Sequence, residues 1–447
     1  MPIPVACIGP GVVALVAVAS SAAPALAQAD PSGLAWDEKI EVASGDAHRG
    51  PWRMNDSVFE YVDDPTVAID ERGTVVVAWA DQSRKDIFLQ IYEPEGSRQF
   101  EEPVNVSKSP TVFSWLPRMV ITGDDAREIA LLWQEIVFSG GTHGGEIFFA
   151  RSTDGGRTFS DPINLSNSIA GDGKGRLTSR YWHNGSLDLA SGPAGTLYAA
   201  WTEYEGGLWF SRSTDGGQSF SEPVRVAGGG DAEPARGPSL AVDGGGVYLA
   251  WTVGEDPAAD IHIARSLDQG LSFGDRQIVA PDGHADAPKL AVDSEGTLHL
   301  VYAVSPAGPF ERYHVRYTRS DDGGATFRDS KEISSPLPEE FESASFPDLS
   351  LDGADNLYVV WELFRRPEHR PQAFGFAYSS NGGKRFTSPS LAPGSIDPAL
   401  GFNGSQQGLL MSKLAVKETG GVAVVNSTFE PNEASHIWLI RGQRAGS

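Results

Sequence analysis

The sequence is poor in cysteine and in positive charge, and both shortages limit what the protein can be. Its 447 residues contain one cysteine, Cys7, so no disulfide within the chain can stabilise the fold. Lys and Arg number 35 against 59 Asp and Glu, which gives a formal net charge of -24. Such a surface repels phosphate backbones, which argues against a nucleic-acid partner and disfavours anionic membranes. No spacing typical of metal ligands is visible, so we expect neither a metal site nor a cofactor.

Long hydrophobic runs are also scarce, and the one that stands out lies at the N-terminus. The run VVALVAVASSAAPALAQAD (residues 12–30) ends in small residues, as a secretory signal peptide cleaved after Ala27 or Ala29 would. The preceding residues include no Lys or Arg, and an uncleaved membrane anchor is the alternative, although the run is short for a span. We therefore predict a signal peptide at residues 1–29 and an exported chain, periplasmic or extracellular, that meets a membrane only if the leader is uncleaved.

Turn-forming residues, in contrast, are abundant, and many of them belong to a phrase that the chain repeats. Small hydroxyl residues and Asp or Asn bond nearby backbone amides, Gly supplies positive φ, and a final Phe is free to enter a core. The phrase therefore predicts a tight β-hairpin turn with a hydrophobic anchor, in an array of similar modules. The five copies are STDGGRTF (152–159), STDGGQSF (213–220), SLDQGLSF (266–273), SDDGGATF (320–327) and SSNGGKRF (379–386).

This phrase resembles the Asp box, or BNR repeat, of sialidases and related β-propellers. In that superfamily the box is a structural turn that lies far from the active face. The resemblance therefore implies that Asp154, Asp215, Asp268 and Asp322 belong to the scaffold and are neither catalytic residues nor metal ligands.

The phrase lies inside a longer frame that predicts the number of blades. A strand that begins near Pro, a turn, and a strand that ends in an aromatic residue precede each copy, which makes four antiparallel strands per unit. Six units end their second strand in an aromatic: Trp79, Trp133, Trp201, Trp251, Tyr302 and Trp361. A seventh unit at residues 412–442 lacks its fourth strand, which residues 33–44 can supply. We predict an all-β, seven-bladed propeller formed by residues 30–447 as one domain and closed by the N-terminal strand; the alternative is a six-bladed, sialidase-type ring.

Function is expected on the face opposite the repeated turns, where the links between blades and between second and third strands are long. Aromatic side chains there could stack on a ligand, and Arg could grip carboxylates. We predict a glycan or protein ligand bound by side chains of this face. The candidate residues are Trp52, Arg53, Trp115, Arg180, Tyr181, Trp182, His183, Glu203, Arg236, Arg312 and Arg365.

Catalysis is not favoured by the sequence. The superfamily's enzymes carry their first substrate-binding arginine in an Arg-Ile-Pro phrase at the start of the first blade, where this chain has DDPTV (63–67). The nearest counterpart, RGPSL (236–240), falls in the fourth unit. We therefore predict a non-catalytic binding propeller with no assigned catalytic residue. The alternatives are an exo-acting glycoside hydrolase of sialidase type and a structural subunit of an envelope complex.

Overall fold

The architecture is a ring of seven sheets, seen in a computed structural model of the chain. The predicted signal peptide lies outside the residues that the structure describes. Residues 176–178 and 181–183 are described by their backbone alone. The described residues are 33–53, 55–123, 125–136, 145–166, 176–178, 181–183, 186–203, 206–229, 232–254, 259–280, 284–305, 312–367, 370–396 and 412–444.

Each of the first six blades is a four-stranded antiparallel sheet whose strands follow one another in chain order. From the inner to the outer strand, blade 1 consists of Val62–Ile69, Val75–Asp81, Asp86–Tyr92 and Val104–Asn105, and blade 2 of Ser114–Ile121, Ile129–Glu135, Glu146–Ser152 and Ile163–Asn164. In the same order, blade 3 consists of Leu187–Ser191, Leu197–Thr202, Leu208–Ser213 and Val224–Ala227, and blade 4 of Ala235–Val242, Val247–Val253, Asp260–Ser266 and Gln277–Ala280. Blade 5 consists of Ala285–Val292, Leu298–Val304, His314–Ser320 and Lys331–Glu332, and blade 6 of Ser343–Leu351, Leu357–Phe364, Ala373–Ser379 and Ser390–Leu391.

Blade 7 joins the two ends of the chain. Its strands Leu414–Val416, Gly421–Glu430 and Ala434–Arg444 are completed by Leu34–Trp36 and Ile40–Gly45, which both pair antiparallel with Ala434–Arg444. The seven-bladed prediction and the closing N-terminal strand are thus confirmed, and the six-bladed alternative is wrong. Because the ring is closed, each blade packs against a neighbouring blade on both of its faces.

The hydrophobic core is divided among the interfaces between blades. Seven clusters of buried apolar side chains each join two neighbouring blades, and one of them joins blade 7 to blade 1. The aromatic residues that end the second strands are all buried. In blade 7 the same position holds Asn426. The periodic aromatics predicted from the sequence are therefore the packing units of the ring.

The repeated turns share one hydrogen-bonding pattern, shown here by the copy in blade 3. Ser213 Oγ accepts the N–H of Gly217 at 2.8 Å and donates to Asp215 Oδ1 at 2.7 Å. Asp215 also accepts the backbone N–H of Ser219 at 3.0 Å and its hydroxyl at 2.6 Å. Hydrogen bonds from Ser219 and its neighbours lower the pKa of Asp215 to about 2. The Asp215 carboxylate thus stabilises the turn, as the sequence predicted for the Asp residues of the repeated phrase.

The turns also dock each blade on the one before it, which the sequence did not predict. Phe220 packs edge-on against Phe149 of the preceding blade, with ring centroids 4.8 Å apart. Gly217 has a φ of +81°, and a Cβ there would lie 2.7 Å from the Phe149 ring, so only glycine fits. Arg151 of the preceding blade donates to the carbonyl of Gly216 at 3.0 Å.

Other junctions repeat this docking. Phe273 packs against Phe210 and Phe386 against Tyr317, each pair with ring centroids 4.9 Å apart. Arg212 donates to the carbonyl of Gln269 at 2.9 Å, as Arg151 does one blade earlier. The repeated phrase therefore builds both the turn and the contact between blades.

We predict that Ser213→Ala lowers the free energy of unfolding by about 1–3 kcal/mol, because the buried N–H of Gly217 loses its acceptor. Chemical denaturation would measure the loss. Thr111→Ala, an exposed position, is the control and should change stability by less than about 0.5 kcal/mol. Equal effects of the two substitutions would contradict the role assigned to the turn.

Candidate functional site at the channel mouth

The two faces of the ring follow from its topology. Successive strands are antiparallel, so the repeated turns and the links from first to second strands share one face. The links between blades and from second to third strands share the other, which we call the loop face. The inner strands begin at the loop face and surround the central channel, so their first residues form the channel mouth.

Among the described residues, a backbone bulge marks the mouth in five inner strands. Their pairing with the second strand shifts at this point, as in a β-bulge. In each, a residue with φ between 50° and 57° precedes a proline, whose missing N–H leaves no ladder donor unpaired. Four of these residues carry a side chain and hold a costly left-handed conformation. They are Asp64, Leu116, Ala287 and Phe346, and the fifth is Gly237.

In each blade, the inner strand or the residue just before it carries a buried polar or charged side chain at the corresponding position, which lies just below the bulge where one is described. We call this set the polar ring. It consists of Thr66, Arg118, Asp188, Ser239, Lys289, Asp348 and Lys413.

Members of the polar ring tie neighbouring blades together. Asp188 accepts the N–H of Leu240 at 2.7 Å, and Ser239 accepts the N–H of Leu290 at 3.0 Å. Asp348 accepts the N–H of Lys413 at 2.7 Å. Each of these donors belongs to the next blade, so the ring links inner strands that share no ladder.

The charges of the polar ring compensate one another. Burial lowers the pKa of Lys289 and raises that of Asp188, while attraction between the two opposes both shifts. Lys413 Nζ lies 2.7 Å from Glu362 Oε1, and both side chains are almost fully buried. The charges that line the channel thus compensate one another, and we expect ligand-binding groups at the mouth above it.

An aromatic strip crosses the loop face beside the mouth. A short hairpin between blades 7 and 1, His48–Arg49 with Phe59–Glu60, carries Trp52 at its tip. Trp52 lies 5.6 Å from the ring of Trp115 and 6.1 Å from that of Phe59. Neighbouring rings continue at 5.3–5.9 Å. The aromatic strip comprises Trp52, Phe59, Tyr61, Phe113, Trp115 and Phe429.

The aromatic strip is buried and anchored at its base, and Trp52 is exposed at its outer side. Asn55 holds the hairpin to blade 2, since its amide donates to the Ile136 carbonyl at 2.8 Å and accepts the Phe113 N–H at 3.0 Å. Phe113 is fully buried, whereas Trp52 is 46% exposed. An exposed indole on a buried aromatic base is a preformed stacking surface.

Cations border the strip although the whole chain is acidic. Arg49 lies over the Phe59 ring at 5.9 Å, Lys85 over Phe113 at 5.0 Å, and Arg370 over Phe429 at 4.9 Å. These three come from the hairpin, from blade 1 and from the blade 6 loop. Aromatic faces and positive charge therefore coincide at the strip.

Burial decides the state of the polar groups at the inner end of the strip. Tyr61 is buried, and desolvation followed by the nearby Asp63 carboxylate raises its pKa far above the usual value. Asp64 is also buried, and desolvation with repulsion from Asp63 raises its pKa. Tyr61 is therefore a neutral phenol and Asp64 favours its protonated form, and both lie beneath the surface.

The structure brings together only some of the residues predicted to form a site. Trp52 and Trp115 belong to the strip, and Arg53 lies exposed beside Trp52. Glu203 lies half-buried at the turn after the second strand of blade 3. Arg236 is at the mouth, where its guanidinium pairs with Asp286 at 3.1 Å.

The remaining predicted residues are distributed elsewhere. Arg312 pairs with Glu342 at 3.0 Å and Arg365 with Glu340 at 2.7 Å, so both act on one acidic segment before blade 6. Arg180 lies outside the described residues. Tyr181, Trp182 and His183 form a strand that pairs with Arg176–Thr178, and their side chains are outside the description.

The residues of the mouth that were not among the predicted site residues include Tyr61 and Asp63 at the start of the blade 1 inner strand, Gln82 just after its second strand, and Arg370 from a loop of blade 6. The adjacent acids of DDPTV were a visible signal for the mouth. Arg370 carried no local signal, because only ring closure brings blade 6 near blade 1.

Comparisons with known proteins identify the fold. No family model and no curated protein matches the chain. A protein of unknown function from Dyadobacter fermentans aligns with a TM-score of 0.53 and 13% identity, over 92% of this chain and 99% of its own. An ulvan lyase of polysaccharide lyase family PL25, solved with GlcA(1-4)Rha3S, aligns with a TM-score of 0.56 and 13% identity, over 90% and 95%.

A sialidase of Trypanosoma rangeli is more distant. It aligns with a TM-score of 0.44 and 11% identity, over 73% of this chain and 57% of its own, which is too weak to carry an argument. At these identities the comparisons establish a β-propeller fold and leave activity to the site itself. No helix among the described residues is long and apolar enough to cross a membrane.

We predict that Lys413→Met destabilises the fold by about 3–5 kcal/mol, because Glu362 is left as a buried charge without its cation. The double variant Lys413→Met/Glu362→Leu should recover most of this loss. The deficit of the single variant should shrink from about pH 8 to about pH 5, since Glu362 then takes up a proton. Denaturant unfolding of both variants measures these effects.

The control is the exposed pair Arg312–Glu342, where Arg312→Met should cost less than about 1 kcal/mol. If the double variant were no more stable than Lys413→Met, the pairing would not be the reason for the loss.

Proposed function

We propose that this protein is an exported β-propeller that binds a glycan at the aromatic strip of its loop face, without turning it over. The observation that carries the proposal is Trp52, exposed at the tip of a hairpin and supported from below by buried rings. Flat apolar faces of sugar rings stack on such an indole. The repeated turns are, in this proposal, Asp boxes, and residues 1–29 are the export signal.

The charges around the strip favour a glycan with acidic groups. Arg49, Lys85 and Arg370 border it, and Arg53 is exposed next to Trp52. Guanidinium groups bind carboxylates and sulfates through paired hydrogen bonds. The same fold in the ulvan lyase was solved with GlcA(1-4)Rha3S, which supports a carbohydrate ligand here by analogy.

Binding without catalysis is supported by the burial of the reactive groups. Asp63, Asp64 and Tyr61 are at most 2% exposed, so a ligand stacked on Trp52 would not reach their side chains. Tyr61 and Asp64 are further held from ionising by burial. A nucleophile or general base needs contact with the substrate, which these buried side chains would not make.

We predict that Trp52→Ala weakens glycan binding at least tenfold, about 1.4 kcal/mol, because an aromatic anchor is lost. Calorimetry against a panel of acidic and neutral oligosaccharides would first find the ligand and then measure the loss. Leu267→Ala, 69% exposed in the repeated turn of blade 4 on the opposite face, is the matched control and should bind normally. A blank panel together with a stable protein partner in a pull-down would overturn the proposal, and turnover of any panel member would overturn its non-catalytic part.

We predict that Arg370→Ala weakens binding of acidic glycans by about tenfold and leaves neutral ones nearly unchanged, since a border cation is removed. The effect should decrease as ionic strength rises. Arg312→Ala, an exposed arginine paired with Glu342, serves as control. Equal losses for acidic and neutral ligands would contradict recognition by charge.

A further inference from the structure

Gln82 stands between the aromatic strip and the charged end of the mouth. Its side-chain carbonyl accepts the indole N–H of Trp115 at 2.6 Å, and its amide donates to Asp63 Oδ1 at 3.2 Å. Gln82 is 2% exposed and Asp63 is fully buried, so water does not compete for these bonds. The Gln82 N–H also donates to the Tyr61 carbonyl at 2.9 Å, which ties Gln82 to the residue just before the inner strand.

The chemistry of the partners permits only one orientation of the amide. An indole N–H can only donate, and a carboxylate without a proton can only accept. Gln82 is therefore the link that must offer an acceptor on one side and a donor on the other. Leu and Met would offer neither group, and a Glu carboxylate would offer acceptors to both.

The two partners of Gln82 belong to different parts of the proposed site. Trp115 is a half-buried member of the strip, 5.6 Å from Trp52, and it precedes the left-handed Leu116 of the bulge. Asp63 lies among the charged groups at the mouth, where its carboxylate influences both Tyr61 and Arg370. We propose that Gln82 is a positioning residue for the glycan site, which fixes the Trp115 ring against Trp52 and couples it to the Asp63 end of the mouth. This inference rests on the proposed function and deepens it.

The test exploits the one substitution that preserves shape and changes hydrogen-bonding character. Gln82→Glu places a carboxylate against Asp63, so the two acids repel while both are charged. Once protonated, the introduced carboxyl group offers a carbonyl and an O–H and reproduces the bonds of Gln. The charged and titratable groups around Gln82 and its partner Asp63 are Asp64 and Tyr61 beside Asp63, Arg49 on the hairpin, Arg370 from blade 6, and Asp81, the residue before Gln82.

The expected result is a pH dependence that the wild-type protein lacks. Gln82→Glu should bind the best oligosaccharide of the panel within about twofold of wild type at about pH 5 and about tenfold more weakly at about pH 8. Gln82→Met should bind weakly at both values. Gln277→Glu, at an exposed position on the outer strand of blade 4, should match wild type throughout. Thermal melts of each variant at both pH values accompany the titrations.

The outcomes separate this inference from the proposed function. If wild type binds no oligosaccharide, or if Trp52→Ala binds as well as wild type, the proposed function fails and the inference with it. If Trp52→Ala loses binding while Gln82→Glu follows wild type at every pH, the inference alone is overturned. If the alkaline loss in Gln82→Glu coincides with unfolding in the melts, Gln82 only stabilises the fold and the inference is again overturned.

Discussion

The contact between each repeated turn and the blade before it is the interaction on which the ring depends. A propeller blade has apolar side chains on both of its faces, and it buries them only if its neighbour lies at the correct distance and angle. The glycine of the turn allows an aromatic ring of the preceding blade to approach, and the Phe of the turn then closes over that ring. An arginine from the preceding blade adds a hydrogen bond to the turn carbonyl. The motif thus sets the spacing between blades.

Near the axis of the ring, polar groups hold neighbouring blades at the correct distance and angle. Inner strands converge there, and their backbone groups face neighbours that belong to other sheets. Side chains such as Asp188 and Asp348 accept backbone N–H groups of the next blade, and their charges are balanced by Lys289 and Lys413. A buried charge is tolerated only with such compensation. These charges compensate one another, and the cations Arg49, Lys85 and Arg370 lie above them beside the aromatic strip.

Much of the scaffold could be predicted from sequence, because its signals are local. Alternation, turn residues and the aromatic that ends each second strand repeat within each unit, so the strands and the blade number followed from counting. Trp52 and Trp115 were also predicted, since aromatics in long loops are conspicuous. The convergence of Arg370 with Tyr61 and Asp63 could not be predicted in the same way, because Arg370 comes from a loop of blade 6 and approaches blade 1 only when the ring closes. The charged residue of an inner-strand sequence such as APKLAV can be seen in the sequence. Its partners could not be predicted, because they lie on other blades.

The closing strand has a consequence for how the protein comes into being. Leu34 pairs with Arg444, so the first strand of the ring to be synthesised waits for the last one. Contacts this distant in sequence make folding slow, and an incomplete ring exposes apolar blade faces that favour aggregation. For a chain exported as proposed, this delay is helpful, because the ring cannot lock into its final shape before its C-terminal strand has been made. Completion of the ring thus requires both ends of the chain.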